Sequence, residues 1–258
     1  MTCCGSEQLL LDCLNGPAPT TRGRLEHLAE AQWQSLVDAA ARHGLRPLLY
    51  ERLTILSDSL KVPEAILHSL RESFLKNGLR NQLLYRDLAQ VLCALQADGI
   101  SVIVLKGAHL AALLYPQVAL RVMGDMDLLV KRADLKQAAR RLQQLGYAFE
   151  TAVDYDAFLN SDPPPPHLPP LFKPPHPRIE LHWRIDTAQP AQEEPELWKR
   201  ARPAQLAGVD TLVLAPEDLV LHLCLHGGSH HLFELGLRPF SDLRDPLEHG
   251  HTTTDCPL

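Results

Sequence analysis

The chain has 258 residues, 45% of them hydrophobic and 22% charged, with a formal net charge of −6 at pH 7. This composition is ordinary for a soluble globular protein of one or two domains with a core of its own. Because the net charge is negative, the overall charge gives no reason to expect a nucleic-acid or membrane partner. A local basic groove is not excluded.

Cysteine usage and the N-terminal sequence predict a cytoplasmic protein. No C-x-x-C pair and no repeated spacing occurs among the cysteines, which are Cys3, Cys4, Cys13, Cys93, Cys224 and Cys256. We therefore expect free thiols in a reducing compartment. The beginning of the chain lacks the basic region of a secretory signal, and no apolar run approaches the ~20 residues that span a bilayer.

The N-terminal part of the chain is predicted to be helical. Apolar residues at roughly helical spacing predict one helix over residues 24–43, with Gly44 as its C-terminal cap, and a second element over residues 48–56. A long helix is predicted over residues 63–98, with proline in its first turn and Gly78 as a point where it could break.

A buried strand, a glycine turn and a helix then follow in direct succession. Residues 100–105 have the length and composition of a strand that is buried on both faces. Lys106 and Gly107 form the turn, and residues 108–115 form a helix that Pro116 stops. Two roles are open for Lys106, a phosphate ligand or a solvated lysine at the end of a strand. We expect backbone geometry to require Gly107.

The next predicted strand, residues 123–130, carries two carboxylates. Asp125 and Asp127 are two residues apart, so they point to the same side of the strand. Two carboxylates beside a glycine turn at a helix start suggest a metal–phosphate site. The carboxylates would hold Mg²⁺, and the N–H groups of the turn would bind a phosphate. Arg121 is predicted either to hold a phosphate or to pair with one of these aspartates.

Alternating elements continue after this strand and predict an α/β unit. A helix is expected over residues 134–146, with Asp134 as its cap, and a further strand over residues 147–155. Residues 163–177 contain nine prolines and are predicted to be a loop or an extended connector.

Residues 178–185 alternate between apolar and polar side chains, which predicts a strand with one polar face. That face offers a third carboxylate, Glu180, and an imidazole two residues later, His182. We expect His182 to be either a partner of a metal ligand or an ordinary hydrogen-bonded histidine.

The C-terminal region is predicted to contain a short helix over residues 193–201, a short strand over residues 211–214 and a helix that begins at Pro216. Three histidines at four-residue spacing share a face of this last helix if the glycine pair Gly227-Gly228 does not break it. They are His222, His226 and His230. Packing against the sheet is favoured over a metal or phosphate site. From Arg244 onwards the sequence predicts a poorly ordered tail.

Three segments resemble a known family. LKGAHLAALLYP, ALRVMGDMDLLV and RIELHW are similar to an uncharacterised nucleotidyltransferase-like family of the DNA polymerase β-type nucleotidyltransferase superfamily. The abortive-infection toxin nucleotidyltransferases look like relatives, since they share a lysine–glycine turn followed by an arginine and a D-x-D. The resemblance extends to helical flanks, ARHGLRPLLYERL and LHLCLHGGSHHLFELGLRPFSDL, and covers roughly residues 25–243.

The resemblance implies an α+β (mixed α/β) fold, in which a small mixed sheet is backed by helices. We expect a helical N-terminal region over residues 1–98, a nucleotidyltransferase core over residues 99–186 and a C-terminal helical region over residues 187–258, which ends in a disordered tail. After Asp242 the sequence departs from the helical continuation of the family, which indicates a truncated or altered end.

The resemblance also implies three carboxylates on neighbouring strands that bind two divalent metal ions, expected to be Mg²⁺. The residues that match the catalytic and metal-binding carboxylates are Asp125, Asp127 and Glu180. The residues expected to bind the nucleotide are Lys106, Gly107 and Arg121. The turn departs from the usual Gly-Gly or Gly-Ser because Lys106-Gly107-Ala108 has no hydroxyl. Phosphate contact would therefore come from Lys106 and backbone N–H groups.

We therefore predict a cytoplasmic, Mg²⁺-dependent nucleotidyltransferase. It would move a nucleoside monophosphate from an NTP, with ATP among the candidates, to an acceptor hydroxyl. The acceptor could be a small molecule, a protein or an RNA end, and neither DNA nor a membrane is expected as a partner.

Two alternatives remain open. A toxin-like enzyme would add nucleotides to tRNA, and the acidic composition counts mildly against it. A non-catalytic adaptor would keep the fold and bind a partner through its helical flanks. The missing Gly-Ser pair favours the adaptor, whereas the intact carboxylate set opposes it.

Overall fold

The computed structural model describes residues 3–15, 19–56, 60–161, 165–185, 195–226, 236–239 and 241–242. His230, the glycine pair at positions 227–228 and the predicted tail from Arg244 lie outside these residues. None of the helices in the described part of the chain is both long enough and apolar enough to cross a bilayer.

Helices fill the described N-terminal part of the chain, as predicted. They are α1 (Cys3–Leu14), α2 (Pro19–Glu26), α3 (Glu30–Arg42), α4 (Arg46–Leu56) and α5 (Glu64–Ala97). The single helix predicted over residues 24–43 is wrong, because the chain breaks between α2 and α3. Ala29 has extended backbone angles there, and its N–H donates to Oε1 of Gln32, which starts a new helix.

Gly44 ends α3 in the predicted way. Its φ of +66° lies in the left-handed region, and the N–H of Leu45 donates to the carbonyl of Ala40 at 2.7 Å. This hydrogen bond satisfies one of the free carbonyls at the end of the helix.

Helix α5 has 34 residues and is the longest in the described chain, about 51 Å at 1.5 Å per residue. The predicted interruption at Gly78 does not occur. A Cβ at Gly78 would lie 3.2 Å from Cβ of Ala119, so the glycine instead lets the segment before the D-x-D strand approach the helix closely.

The described strands form one mixed, seven-stranded sheet, which confirms the predicted fold class. They are β1 (Ile103–Val104), β2 (Asp125–Leu129), β3 (Ala148–Phe149), β4 (Leu171–Lys173), β5 (His176–His182), β6 (Arg202–Leu206) and β7 (Val209–Val213). The order across the sheet is β3-β4-β5-β2-β1-β7-β6. The β2–β5 and β1–β7 pairs are parallel, and the other neighbouring pairs are antiparallel.

Five further helices connect and cover the strands in the described residues. They are α6 (Lys106–Leu113), α7 (Leu135–Gln144), α8 (Tyr155–Leu159), α9 (Pro195–Arg200) and α10 (Pro216–Leu225). Helix α6 begins at Lys106, two residues before its predicted start. Asp134 immediately precedes α7 as expected, but its side chain makes no capping hydrogen bond.

Two predictions between residues 147 and 177 need correction. The strand predicted over residues 147–155 is confined to β3, because the side chain of Asp154 accepts hydrogen bonds from the backbone N–H groups of Asp156 and Ala157 and caps α8. The proline-rich segment is not only a loop, because it contains β4 and the start of β5. Leu168 and Leu171 anchor it, since both are fully buried.

The sheet is buried on both faces by two hydrophobic cores. The first core joins the N-terminal helices to Leu105 and Leu129 on one face of the sheet, and includes Leu219 and Leu223 of α10. The second core joins the C-terminal half of α5 and α7 to the opposite face, which includes Leu128. Because alternate residues face opposite sides, Asp125 and Asp127 lie on the face that α10 covers.

Two buried asparagines of α5 hold the segment that precedes β2. Nδ2 of Asn77 donates to the carbonyl of Ala119 at 2.7 Å and to that of Arg121 at 3.1 Å. Nδ2 of Asn81 donates to the carbonyl of Arg121 at 2.8 Å and to that of Val118. These amides supply donors to carbonyls that belong to no strand, so they fix the entry to β2.

We expect Asn81→Ala to lower the free energy of unfolding by about 1–3 kcal/mol, because buried carbonyls lose a donor. Urea unfolding curves would measure the change. Gln82→Ala alters the exposed neighbour in the same helix and is the matched control. Equal stabilities of the two variants would contradict the structural role of Asn81.

A second prediction concerns His109, which is 4% exposed in α6. Burial lowers the pKa of His109 to about 4, from an ordinary value of 6.5. Between these two values the unfolded chain binds the proton and the folded chain does not. Stability is therefore lost as the pH falls from 6.5 towards 4, by up to roughly 3 kcal/mol for this group.

Replacing His109 by leucine should flatten the dependence of stability on pH in this window. Urea midpoints at several pH values between 4 and 7 would measure the slope. His68→Leu changes an exposed histidine and should keep the wild-type slope. An unchanged slope in the His109 variant would show that this imidazole does not contribute.

Candidate functional site

The three predicted carboxylates lie together on one face of the sheet. Strands β2 and β5 are parallel neighbours, with Asp125 opposite Arg178 and Asp127 opposite Glu180. Asp127 is buried, with 4% exposure, whereas Asp125 and Glu180 are half-buried. The D-x-D and the carboxylate of β5 therefore converge, although 53 residues separate Asp127 from Glu180 in the sequence.

Two basic side chains of the protein neutralise these carboxylates. Nζ of Lys106 donates to Oδ1 of Asp127 at 2.7 Å and lies 3.9 Å from Oε2 of Glu180. Nη2 of Arg178 donates to Oδ2 of Asp125 at 2.8 Å and lies 3.3 Å from Oε1 of Glu180. Each carboxylate therefore has a cation within 4 Å, which offsets the cost of placing like charges side by side.

His182 joins the carboxylates directly. Its Nε2 lies 3.0 Å from Oδ1 of Asp127 and 3.8 Å from Oε2 of Glu180. Because an ionised carboxylate only accepts hydrogen bonds, the imidazole is the donor to Asp127. The sequence placed His182 on the face of Glu180 but could not identify this partner.

Burial and neighbouring charges shift the pKa values of Asp127 and Glu180 in opposite directions. Burial acts to raise the pKa of Asp127, but Lys106 and His182 outweigh it and hold that pKa well below its usual range. Burial and the charge of Asp127 raise the pKa of Glu180. Burial lowers the pKa of His182 to about 4, so the imidazole is neutral at pH 7.

The Lys106-Gly107 turn lies against these carboxylates. Lys106 has a φ of +40°, an unfavourable left-handed conformation for a residue with a side chain, and it starts α6. The N–H of Leu105 donates to the carbonyl of Asp127 at 3.0 Å, which ties the turn to β2. A Cβ at Gly107 would lie 2.9 Å from Nη1 of Arg121, so glycine is required for this close approach.

One of the two roles predicted for Arg121 was to pair with Asp125 or Asp127. It pairs with neither of them. It makes two hydrogen bonds to Asp242, from Nε at 2.9 Å and from Nη2 at 2.8 Å. The hydroxyl of Tyr115 donates to the same carboxylate at 2.8 Å. Burial acts to lower the pKa of Arg121, but Asp242 outweighs it and raises that pKa.

A cavity of about 550 Å³ opens over the carboxylates. His222 of α10 and His226, the residue after its last turn, contribute to its wall. Arg80 and Arg238 also line the cavity, together with Arg121. The sequence had pointed to neither Arg80 nor Arg238, because α5 and the segment near residue 238 reach the site only through the tertiary fold.

The side chains most suited to a metal ion are Asp127, Glu180 and His182. One ligand atom from each lies within 4.8 Å of the others. Carboxylate oxygens and a neutral imidazole are common ligands of divalent ions in proteins, so this donor set fits a divalent cation. Asp125 lies outside this group of three, beside Arg178.

Comparison with known proteins gives a family match in sequence and a similarity to solved structures. No curated protein sequence matches the chain. Among solved structures, the solution structure of the antibiotic-resistance factor ANT(2'')-Ia is similar, with 12% sequence identity and a TM-score of 0.47. The match covers 66% of this chain and 85% of that chain.

The family comparison covers most of the chain. A sequence model of the family described as uncharacterised nucleotidyltransferase matches residues 29–258. That range includes the D-x-D of β2, the Lys106-Gly107 turn and the carboxylate of β5. The chain therefore belongs to the uncharacterised nucleotidyltransferase family, as its motifs had indicated, and is a nucleotidyltransferase.

Proposed function

We propose that the protein moves a nucleoside monophosphate from an NTP to a hydroxyl acceptor in a Mg²⁺-dependent reaction that releases pyrophosphate. The observation that carries this proposal is the convergence of Asp125, Asp127 and Glu180 on one face of the sheet, in a cavity of about 550 Å³. The Lys106-Gly107 turn at the start of α6 borders the same cavity.

The three carboxylates would together hold two Mg²⁺ ions, with Asp127 as the central residue of the set. Asp127 stands between the other two, since Asp125 precedes it on β2 and Glu180 faces it across the β2–β5 pair. Two bound divalent ions stabilise the attacking and leaving oxygens of an in-line displacement at phosphorus. The role of the three side chains is to fix the charge and the geometry of that centre.

The turn and its neighbours would bind the phosphates of the nucleotide. Gly107 lines the cavity in the first turn of α6, and the first N–H groups of a helix have no intrahelical partner and attract an anion. The Lys106 ammonium would release Asp127 when the carboxylates bind an ion. Lys106 would then be available to bind a phosphate of the nucleotide. Arg121 would act beside them from the cavity wall.

We also propose a cytoplasmic location. The cysteines Cys13, Cys93 and Cys224 are free thiols in the described part of the chain, which is typical of a reducing compartment. ATP and the other NTPs remain candidates as donors. A small molecule, a protein and an RNA end remain candidates as acceptors.

One observation supports the second candidate function, a non-catalytic adaptor. Lys106 and Arg178 already neutralise the carboxylates from within the chain. Permanent ion pairs of this kind would stabilise the fold and would leave the carboxylates closed to an added ion. Nucleotide binding therefore separates the two functions.

The first test is calorimetric titration with non-hydrolysable analogues of the four NTPs, with and without Mg²⁺. We expect one or more nucleotides to bind only when Mg²⁺ is present. Asp127→Asn should abolish that binding and reduce transfer by a factor on the order of 10²–10³, because it removes the central carboxylate of the three. Asp156→Asn alters an exposed aspartate that pairs with Lys136, and is the matched control.

The outcomes of this titration distinguish the two functions. Binding that needs both Mg²⁺ and Asp127 supports nucleotidyl transfer and identifies the preferred base. A folded protein that binds none of the four nucleotides would favour the adaptor instead. Circular dichroism of each variant establishes that the protein is folded.

Gly107→Ala is a second test of the same site. The new Cβ would lie 2.9 Å from Nη1 of Arg121 and 3.3 Å from Cγ of Met123, so the turn must shift. We expect transfer to fall by roughly 100-fold, because misplacing a phosphate-binding turn by about 1 Å is enough for such a loss.

Steady-state rates of pyrophosphate release would measure the effect of Gly107→Ala. Gly23→Ala introduces a Cβ with no atom within 4 Å and should retain the wild-type rate. A wild-type rate in the Gly107 variant would show that the turn does not bind the phosphates.

A further inference from the structure

The cluster that faces the cavity contains imidazole nitrogen as well as carboxylate oxygen. Nε2 of His182 lies 3.0 Å from Oδ1 of Asp127 and 3.8 Å from Oε2 of Glu180. Neighbouring ligands of a single ion at ~2.1 Å are about 3 Å apart. The spacing of the three donor atoms is therefore close to that of ligands on one ion.

The chain itself places a cation at this position. Nζ of Lys106 contacts the same two oxygens, at 2.7 Å from Asp127 and 3.9 Å from Glu180. The ammonium marks the point at which the negative charge of the pair is concentrated. A divalent ion would meet the same oxygens with twice the charge.

A second imidazole, His222 of α10, lines the same cavity. It is 3% exposed, and both of its ring nitrogens lack a hydrogen-bond partner in the described part of the chain. It nevertheless lies outside the group of three donors whose ligand atoms are within 4.8 Å of one another. His182 is therefore the imidazole placed to share an ion with the two carboxylates.

We propose that His182 is a metal ligand, and that the ion bound at Asp127 and Glu180 is a divalent transition-metal ion, with Zn²⁺ and Mn²⁺ the leading candidates, in preference to Mg²⁺. This proposal rests on the proposed nucleotidyl transfer for its purpose, but the metal site is defined by the side chains alone. Asp125, outside the cluster, remains with Asp127 for an all-oxygen Mg²⁺ ion that accompanies the nucleotide.

The chemistry of the donors supports this choice of ion. Mg²⁺ prefers oxygen ligands and gives up its bound waters reluctantly, whereas imidazole suits Zn²⁺ and related ions and carboxylate also suits Mn²⁺. In this structure Nε2 of His182 donates to Asp127, so an ion bound through Nε2 would replace that hydrogen bond and the imidazole proton would reside on Nδ1. One imidazole beside two carboxylates is therefore a better donor set for a transition-metal ion than for Mg²⁺.

The test uses Mn²⁺ alone as the probe, with the full chain and no nucleotide. Pulsed electron paramagnetic resonance of bound Mn²⁺ detects directly coordinated ¹⁴N through its hyperfine coupling. We expect ¹⁴N coupling in the wild-type protein. Competition titrations should also show that Mn²⁺ binds at least tenfold more tightly than Mg²⁺, since a histidine ligand favours the transition-metal ion.

Variants test the assignment of the nitrogen to His182. His182→Gln should remove the ¹⁴N coupling and weaken Mn²⁺ binding by roughly 10–100-fold, while Mg²⁺ affinity changes much less. His222→Gln changes the other buried imidazole of the cavity and should keep the coupling. His176→Gln changes another histidine of β5, which pairs with Asp87 away from the cavity, and should leave the spectrum unchanged.

The outcomes separate this proposal from the proposed function. Bound Mn²⁺ without ¹⁴N coupling in the wild-type protein would overturn the imidazole ligand, and Mg²⁺-dependent nucleotide binding would survive that result. ¹⁴N coupling that persists unchanged in His182→Gln would also overturn the assignment. A protein with ¹⁴N-coordinated Mn²⁺ that binds no nucleotide would keep the metal site while the proposed transfer fails.

Discussion

Asp127 and Glu180 face each other across the parallel pair of β2 and β5, and this placement of two carboxylates is the constraint on which the site depends. Opposed like charges destabilise a sheet, and the repulsion grows where water is excluded. Lys106, Arg178 and His182 compensate for it from three places. Lys106 lies at the start of α6, Arg178 precedes Glu180 on β5, and His182 follows Glu180 on the same strand. The cations are therefore part of the architecture that allows these carboxylates to remain buried.

Helix α5 carries this arrangement through the middle of the molecule. Its N-terminal half contributes to the first core and its C-terminal half to the second core, so one helix spans both. Asn77 and Asn81 hold the carbonyls that precede β2, and Gly78 between them lets Ala119 approach. The polar residues in the middle of α5 thus determine where β2 begins, and with it the position of the D-x-D.

Arg121 extends the same construction towards the C-terminal region. Its guanidinium is buried and makes two hydrogen bonds to Asp242, to which Tyr115 also donates. A buried ion pair is costly unless both groups are fully hydrogen-bonded, and here three donors converge on one carboxylate. The segment between α6 and β2, which supplies Tyr115 and Arg121, is therefore joined to the segment that holds Arg238 and Asp242.

Local periodicity was sufficient to predict the strands that carry Asp125, Asp127 and Glu180, because residues two apart share a face in any strand. The mixed sheet itself came from the family resemblance. Partners distant in sequence were beyond prediction, because no local rule relates Arg121 to Asp242, which is 121 residues later. Alternation along β5 placed His182 on the same polar face as Glu180, and Arg178 lies on that face too. That Arg178 lies opposite Asp125 depends on the register between β5 and β2, which the sequence does not reveal.

Local charge explains why an acidic protein is suited to an anionic nucleotide. The whole chain has a formal charge of −6, but the described residues that line the cavity include five basic side chains and four carboxylates. The basic ones are Arg80, Lys106, Arg121, Arg178 and Arg238, and the acidic ones are Asp125, Asp127, Glu180 and Asp242. Five minus four leaves one positive charge, so composition alone gave the wrong sign for this surface.

This near balance also links the binding of ions to the binding of nucleotide. Divalent ions added to the carboxylates would make the cavity strongly positive, because the basic side chains that neutralise them now would remain nearby. A triphosphate would remove that excess, so each would favour the other. In the proposed reaction the basic side chains would therefore have two functions in succession, first to stabilise the carboxylates and then to attract the phosphates once those carboxylates bind ions.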